Sequence, residues 1–178
     1  FVLKRRPQDM GLPPDGLQPK ADGKPVASAP TWTRRNAMRT RQFQTQTLAF
    51  GLALMVQVGF LSHHVPIAEP WLGASGAAAA VTAAAFAAFI GRLLLARYAD
   101  RIDVRKAAAG VLLFGCVSLI AMALFPSPGA LMALSVSYGL TVGNITTLPP
   151  IIIRREFGAA SFGAVFGASA MMTAVLMA

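Results

Sequence analysis

The stretch GRLLLARYADRIDVRK, residues 91–106, decides the fold of this chain. It gathers five basic side chains and two aspartates between long apolar runs on both sides. Each of these runs is long enough to cross a hydrocarbon core of about 30 Å. A charged stretch between two such helices belongs in a short loop at the boundary of water and lipid. The sequence therefore predicts an all-α membrane protein, built as an antiparallel bundle of transmembrane helices.

The composition excludes several other classes of protein. Of the 178 residues, 55% are hydrophobic and only 13% are charged, against about 25% charged in soluble domains. The net charge of +9 does not indicate nucleic-acid binding, because the basic residues stand in short runs between apolar segments. The chain has no Gly-rich phosphate loop, no Cys/His metal spacing and no nucleophile beside a base, so we predict no enzyme, no cofactor and no metal site. The single cysteine, Cys116, excludes an internal disulfide.

The basic residues are confined to one side of the predicted bundle. All 16 Lys and Arg lie in residues 1–42, 91–106 and 154–155, whereas the intervening loops 63–70 and 126–129 contain none. Because cytoplasmic loops are enriched in Lys and Arg, we expect the three basic segments to lie in the cytoplasm.

The chain divides into a linker and a membrane domain. We predict that residues 1–42 are a basic, largely flexible linker ending in an interfacial helix from Trp32 to Arg41, because Pro and Gly exclude regular helix before it. The membrane domain, 43–178, is predicted to contain five helices, at about 43–61, 71–95, 107–125, 130–153 and 161–178. Residues 62–70 are expected to form a loop, and Pro149-Pro150 to kink or end the fourth helix. Because the chain starts at Phe1 and ends inside an apolar run, we expect a fragment whose last helix is truncated.

The charged stretch resembles the signature loop of the major facilitator superfamily of transporters, found between the second and third helices of each six-helix half. That signature runs small residue, spacer, apolar, small, Asp, Arg, spacer, Gly and then basic residues. The matching positions here are Ala96, Tyr98, Ala99, Asp100, Arg101 and the pair Arg105-Lys106. Two positions depart from it: Ala96 replaces the first glycine, and Asp103 stands where the second is usual.

The resemblance implies a fold and a function. The chain would be the second half of a twelve-helix transporter, with residues 1–42 joining the halves and the N-terminal six-helix half as its partner. The stretches VGFLSHHV, GRLLLARYADR and VGNITTLPPIIIRREFG are most similar to bacterial members near the monocarboxylate and oxalate–formate branch. This implies alternating-access transport of a small organic anion, such as a monocarboxylate, coupled to a proton or a counter-anion, in the bacterial plasma (inner) membrane. The alternatives are a drug or sugar efflux carrier, a structural membrane subunit and a non-functional fragment.

Arg92 is the main candidate for substrate contact. It stands eight residues before Asp100, about 12 Å deeper along a helix. An arginine at this depth costs free energy unless it pairs, snorkels or faces a watery cavity. It matches the arginine with which monocarboxylate transporters bind the substrate carboxylate, although the aspartate that partners it there falls on Ala88 here. The alternatives are that Arg92 snorkels to the cytoplasm or pairs with Asp100.

Charges in the loop predict a conformational latch, because such groups can pair in one state of a transporter and separate in another. The predicted latch residues are Ala96, Asp100, Arg101, Arg105 and Lys106. The alternative is that this loop only anchors the topology.

Other polar side chains within the apolar segments leave two interpretations open. Five of them could line a polar cavity or equally make interhelical hydrogen bonds: Gln57, Tyr138, Asn144, Thr146 and Thr147. The first four are predicted as further substrate contacts. His63 and His64 could form a proton-sensitive or metal-binding pair. Adjacent helical residues point about 100° apart, which favours two ordinary histidines at the interface. No carboxylate stands within a predicted helix core, so a coupling acid is expected in the other half.

Overall fold

The computed structural model describes residues 31–99 and 101–177, and every regular element within them is helical. The elements are α1 (Arg34–Met38), α2 (Arg41–Tyr98), α3 (Val104–Leu124), α4 (Pro128–Phe157), a short 3-10 turn (Ala159–Ser161) and α5 (Phe162–Met177). Four helical segments of this part of the chain are long and apolar enough to cross a membrane. The predicted all-α membrane bundle is thus confirmed. Residues 1–30 of the predicted linker, 1–42, lie outside the described residues, as do Asp100 and Ala178.

Helix α2 is two helices joined at a sharp bend. Its 58 residues would measure roughly 87 Å if straight, about three times the thickness of the hydrocarbon core. The bend is at Gly73, whose φ of 69° and ψ of 170° are not helical. A positive φ is readily adopted only by glycine. We call residues 41–72 the first arm and residues 74–98 the second arm.

The contacts of the first arm with α4 give their relative direction. His64 bonds to Ser135 near the start of α4, and Gln46 bonds to Pro149 near its end. Residue numbers fall along the arm as they rise along α4, so these two segments are antiparallel.

The second arm runs parallel to α4 at very close range. Small residues face each other in the same order along both segments, Ala84 opposite Gly139 and Ala88 opposite Gly143. A Cβ atom at Gly139 would stand 2.8 Å from the Cα atom of Ala84, and one at Gly143 would stand 2.5 Å from the Ala88 carbonyl oxygen. Small residues permit this approach in membrane helices. Since the two arms run oppositely along α4, the chain reverses at Gly73.

The predicted loop at residues 62–70 is wrong, because this segment is helical and the first arm continues to residue 72. Each proline removes one backbone N–H, which bends a helix but need not end it. Pro66 and Pro70 both lie on the exposed side, whereas His64 and Ala68 are buried. Pro149-Pro150 likewise lies inside a helix, and α4 ends only at Gly158, where φ is 78°.

Helix α4 is the centre of the bundle, because three apolar clusters follow one another along it. Leu131 and Tyr138 belong to the first cluster, Ile145 and Leu148 to the second. Ile153 and Phe157 belong to the third, together with Ala37, Phe43, Val165 and Ala168 from α1, α2 and α5. Helix α3 instead exposes large apolar side chains such as Leu113 and Leu124, as expected for a helix facing lipid.

Helix α1 is docked against the end of the bundle. Thr33 caps it by accepting a hydrogen bond from the Asn36 N–H. The backbone N–H of Trp32 donates to Ser161 Oγ at 2.7 Å, and the indole packs edge-on against Phe157 at 5.4 Å. The predicted interfacial helix is therefore shorter than Trp32–Arg41, and a turn at residues 39–40 separates it from α2.

We expect Gly139→Ala to destabilise the folded protein, because the added methyl group would overlap the Ala84 backbone. Overpacking of this kind costs roughly 1–3 kcal/mol. The matched control is Gly167→Ala, where a Cβ atom meets open space and alanine favours helix. Thermal unfolding in detergent should show a lower midpoint for the first variant only. Equal midpoints for the two variants would contradict the close packing of α2 on α4.

Candidate functional site

Arg92 lies across the face of α4 at a position that has no side chain. Its Nε donates to the carbonyl oxygen of Gly143 at 3.3 Å. A Cβ atom at residue 143 would stand 2.7 Å from Arg92 Cγ and 2.9 Å from its Nε. The guanidinium can therefore reach the α4 backbone only because residue 143 is glycine. Arg92 is nevertheless exposed, so the remaining nitrogens stay accessible.

The Gly143 carbonyl accepts more donors than its lone pairs accommodate. Besides Arg92, the hydroxyls of Thr146 and Thr147 donate to it at 3.1 and 2.8 Å, and a carbonyl oxygen has two lone pairs. A ligand oxygen could therefore take over a donor without leaving this carbonyl unsatisfied. We call Arg92, Gly143, Thr146 and Thr147 the arginine cluster.

The proline pair makes the backbone beside this cluster more polar. In an α-helix the carbonyl of residue i accepts from the N–H of residue i+4, and proline has no N–H. Pro149 and Pro150 therefore leave the carbonyls of Ile145 and Thr146 without their helical donors. Uncapped carbonyls within a membrane are tolerated where they line a cavity or meet other donors.

His64 belongs to a second polar cluster and is not an interfacial histidine. It is 1% exposed, its Nε2 lies 2.8 Å from Ser135 Oγ, and its ring packs on Phe60 at 4.5 Å. Phe60 in turn meets Tyr138 edge-on at 4.7 Å. The neighbouring His63 is exposed, and its Nδ1 lies 2.9 Å from the Gly59 carbonyl oxygen. The prediction of an ordinary histidine at the membrane interface is wrong for His64. The helix continues past residue 61, and its side chain at position 64 faces the interior of the bundle. We call His64, Ser135, Phe60 and Tyr138 the histidine cluster.

The five predicted substrate contacts are only partly brought together. Arg92 and Thr146 meet at the Gly143 carbonyl, whereas Tyr138 lies in the histidine cluster. Asn144 is buried and donates to the Leu140 carbonyl at 3.1 Å, but its Oδ1 has no partner among the described residues. Gln57 is buried on the first arm, and its Oε1 also lacks a partner in this part of the chain.

An apolar cavity is lined by the first arm, α3 and α4. It has a volume of about 240 Å³, and its wall includes Val56, Leu112, Cys116 and Tyr138. None of the described residues in its wall is charged, so these residues offer nothing that would recognise an ionic solute, unlike the arginine cluster.

The predicted latch residues contribute one ion pair among the described residues. Arg105 Nε donates to Glu156 and so joins the start of α3 to the end of α4. Beside it, Arg155 Nη2 donates to the Ala99 carbonyl at 2.8 Å. Ala96, Arg101 and Lys106 are exposed, and Asp100 lies outside the described residues. Asp103, which departs from the signature, caps α3 by accepting from the Arg105 and Lys106 N–H groups.

No local pattern in the sequence predicts a specific role for Gly143, Ser135 or Glu156. Gly143 is half of a G-x-x-x-G pattern with Gly139, and that signal was available but common in membrane helices. Ser135 and Glu156 gave no signal, because their partners His64 and Arg105 are 71 and 51 residues distant in sequence.

Comparison with known proteins gives one result. The family model described as Major Facilitator Superfamily matches residues 2–178. Searches of curated proteins and of solved structures gave no match.

Proposed function

The chain belongs to the major facilitator superfamily, and on that premise we propose that it moves a small organic anion, such as a monocarboxylate, by alternating access. Because it belongs to this superfamily and has four helical segments that can cross a membrane, the chain is an integral, multi-pass membrane protein. The superfamily consists of transporters of small molecules rather than enzymes.

Arg92 is the observation that supports an anion. It stands within a span of apolar helix, and among the described residues the ion pair found is that of Arg105 with Glu156, far from Arg92. Its Nε is held by a neutral carbonyl, which orients the guanidinium but does not neutralise it. A fixed cation in low dielectric attracts a carboxylate much more strongly than it would in water. A substrate carboxylate could accept two parallel hydrogen bonds from the free nitrogens.

The hydroxyl groups of Thr146 and Thr147 would serve the same solute. Both are on α4, opposite the second arm, and both bond to the carbonyl that also holds Arg92. A hydroxyl that rotates from this crowded carbonyl towards a substrate oxygen loses little. We infer that the three side chains form the binding surface of this half, and that the N-terminal half supplies the opposite wall.

We further propose that the basic end of the bundle faces the cytoplasm of a bacterial plasma membrane. Contacts gather Trp32, Ala99, Arg105 and the end of α4 at one end of the structure. These contacts support a common side for the described parts of the three basic segments, and by the positive-inside rule we take that side as the cytoplasmic one. The monocarboxylate and oxalate–formate branch, and coupling to a proton or a counter-anion, belong to the same proposal.

Competition by matched solutes tests the proposal. In proteoliposomes of the full-length protein, labelled lactate should exchange across the membrane, and unlabelled pyruvate and formate should inhibit this exchange. Lactamide, which replaces the carboxylate by a neutral amide of nearly the same shape, should not inhibit, because it cannot neutralise Arg92. Protein-free liposomes measure the leak. Equal inhibition by lactamide, or by sugars, would contradict the anion proposal and favour a drug or sugar carrier.

A further inference from the structure

The histidine cluster places an imidazole inside the bundle, although the sequence predicts a loop at residues 62–70. His64 is 1% exposed, and its ring is enclosed by Phe60 and the apolar side chains around it. One ring nitrogen, Nε2, has a partner in Ser135. The other, Nδ1, is buried and has no partner among the described residues.

The unpartnered nitrogen is suited to take a proton. In a neutral imidazole one nitrogen donates and the other accepts. If Nε2–H donates to Ser135 Oγ, the lone pair of Nδ1 is vacant and can bind a proton. The resulting imidazolium would keep its bond to Ser135, since a serine hydroxyl can accept as well as donate.

No fixed counter-charge faces His64 within the described part of the chain. On its own helix, His63 and Glu69 are both exposed, and Gln57 is neutral. From α4 the polar groups nearest it are Ser135 and Tyr138, and α4 has no charged residue before Arg154. Neither residues 107–124 of α3 nor residues 162–177 of α5 contain a charged side chain. A proton on His64 therefore needs a negative charge from elsewhere.

The arginine cluster lies at a suitable distance to provide one when it is loaded. The separation of the two clusters can be measured along α4, because His64 bonds to Ser135 and Arg92 bonds to Gly143. Eight residues separate these positions, or about 12 Å along the helix axis. At this distance in an apolar bundle, an anion at Arg92 is poorly screened and favours protonation of His64. By linkage, protonation of His64 favours binding of the anion to the same degree.

We propose that His64 is the site at which this half of the transporter binds the proton that moves with the anion. The inference rests on the anion transport proposed above and adds to it the coupling ion and its binding atom, Nδ1. The loaded state then holds one extra proton, on His64, and one extra negative charge, on the anion at Arg92. The two added charges compensate each other in the apolar interior. The empty state holds neutral imidazole, bonded to Ser135.

The test separates coupled accumulation from exchange in proteoliposomes of the full-length protein, with labelled lactate as the probe. When the vesicle interior is alkaline, the wild type should accumulate lactate faster than protein-free liposomes do. With one proton moved per anion, the ratio of inside to outside lactate should approach about tenfold for each pH unit across the membrane. His64→Gln should lose this accumulation but retain lactate–lactate exchange at equal pH, because exchange needs no net movement of protons. His63→Gln, the matched control on the exposed neighbour, should retain both activities.

Three results would overturn the proposal. The first is pH-driven accumulation by His64→Gln at the wild-type level. The second is loss of exchange together with accumulation in correctly folded His64→Gln, which would make His64 a structural or binding residue. The third is wild-type exchange without pH-driven accumulation.

Failure of the anion proposal gives a different result, namely a wild type that does not exchange lactate. The histidine is then tested without substrate, by titrating ¹⁵N-histidine-labelled protein in lipid nanodiscs. The His64 resonance is the one that is missing in His64→Gln. Protonation of this resonance at any pH at which the protein stays folded would keep His64 as a proton site for another solute. A resonance that stays neutral down to the lowest pH at which the protein remains folded would overturn the proposal.

Discussion

Replacing Arg92 by glutamine should abolish carboxylate transport and leave the folded protein in the membrane. Glutamine can still donate to the Gly143 carbonyl, as Arg92 Nε does now, so the packing of α2 on α4 should persist. What it lacks is the positive charge. Removing one partner of a desolvated charge pair costs 2–5 kcal/mol, so the transport rate at low substrate should fall about 100-fold or more.

Arg92→Lys should give a smaller loss, of about tenfold, because one charged hydrogen bond is lost while the charge remains. Arg97→Gln is the matched control, since Arg97 is exposed near the end of the same helix and outside the arginine cluster. Uptake of labelled lactate, normalised to the amount of protein in the vesicles, measures all three variants. Normal transport by Arg92→Gln would show that Arg92 only snorkels towards the cytoplasm.

The sequence was sufficient to predict the helices because the membrane imposes both their length and their flanking charges. The predicted and observed bounds of α3 agree within three residues at each end. The predicted loop at residues 62–70 is wrong because Pro66 and Pro70 lie within the first arm without ending it. Buried positions at helical spacing continue through that segment: Gln57, Phe60, His64 and Ala68. This spacing indicates a continuous helix.

The sequence predicts the candidate site only for residues that are unusual in their own local context. Arg92 is such a residue, since a cation within an apolar helix is costly. Gly143 and Ser135 are not, because their importance depends on the register between α4 and the two arms of α2. That register is set by the close contacts of Gly139 and Gly143 with Ala84 and Ala88, which no local pattern specifies. The pairing of Glu156 with Arg105, 51 residues away, likewise leaves no local pattern in the sequence.

Glu156→Gln should slow transport several-fold with little effect on the amount or stability of the protein. Glu156 pairs with Arg105 across the ends of α4 and α3. The side chain of Arg105 is 56% exposed, whereas that of Glu156 is only 14% exposed. Water at the exposed arginine screens the pair, so it adds only about 1 kcal/mol to stability. A pair that forms in one state and breaks in the other acts differently, because it shifts the balance between the two states. A shift of about 1.4 kcal/mol changes that balance tenfold.

Swapping the charges of Arg105 and Glu156 tests directly whether their ion pair matters for transport. Arg105→Glu combined with Glu156→Arg restores an opposite-charge pair and should recover much of the transport lost by Glu156→Gln alone. Glu69→Gln is the matched control, because Glu69 is exposed near the bend at Gly73, away from the signature loop. Asp100→Asn is expected to slow transport as well, through the same latch. If Glu156→Gln transports lactate at the wild-type rate and at normal abundance, the pair does not break during the cycle. Arg105 and the loop before it would then only anchor the topology.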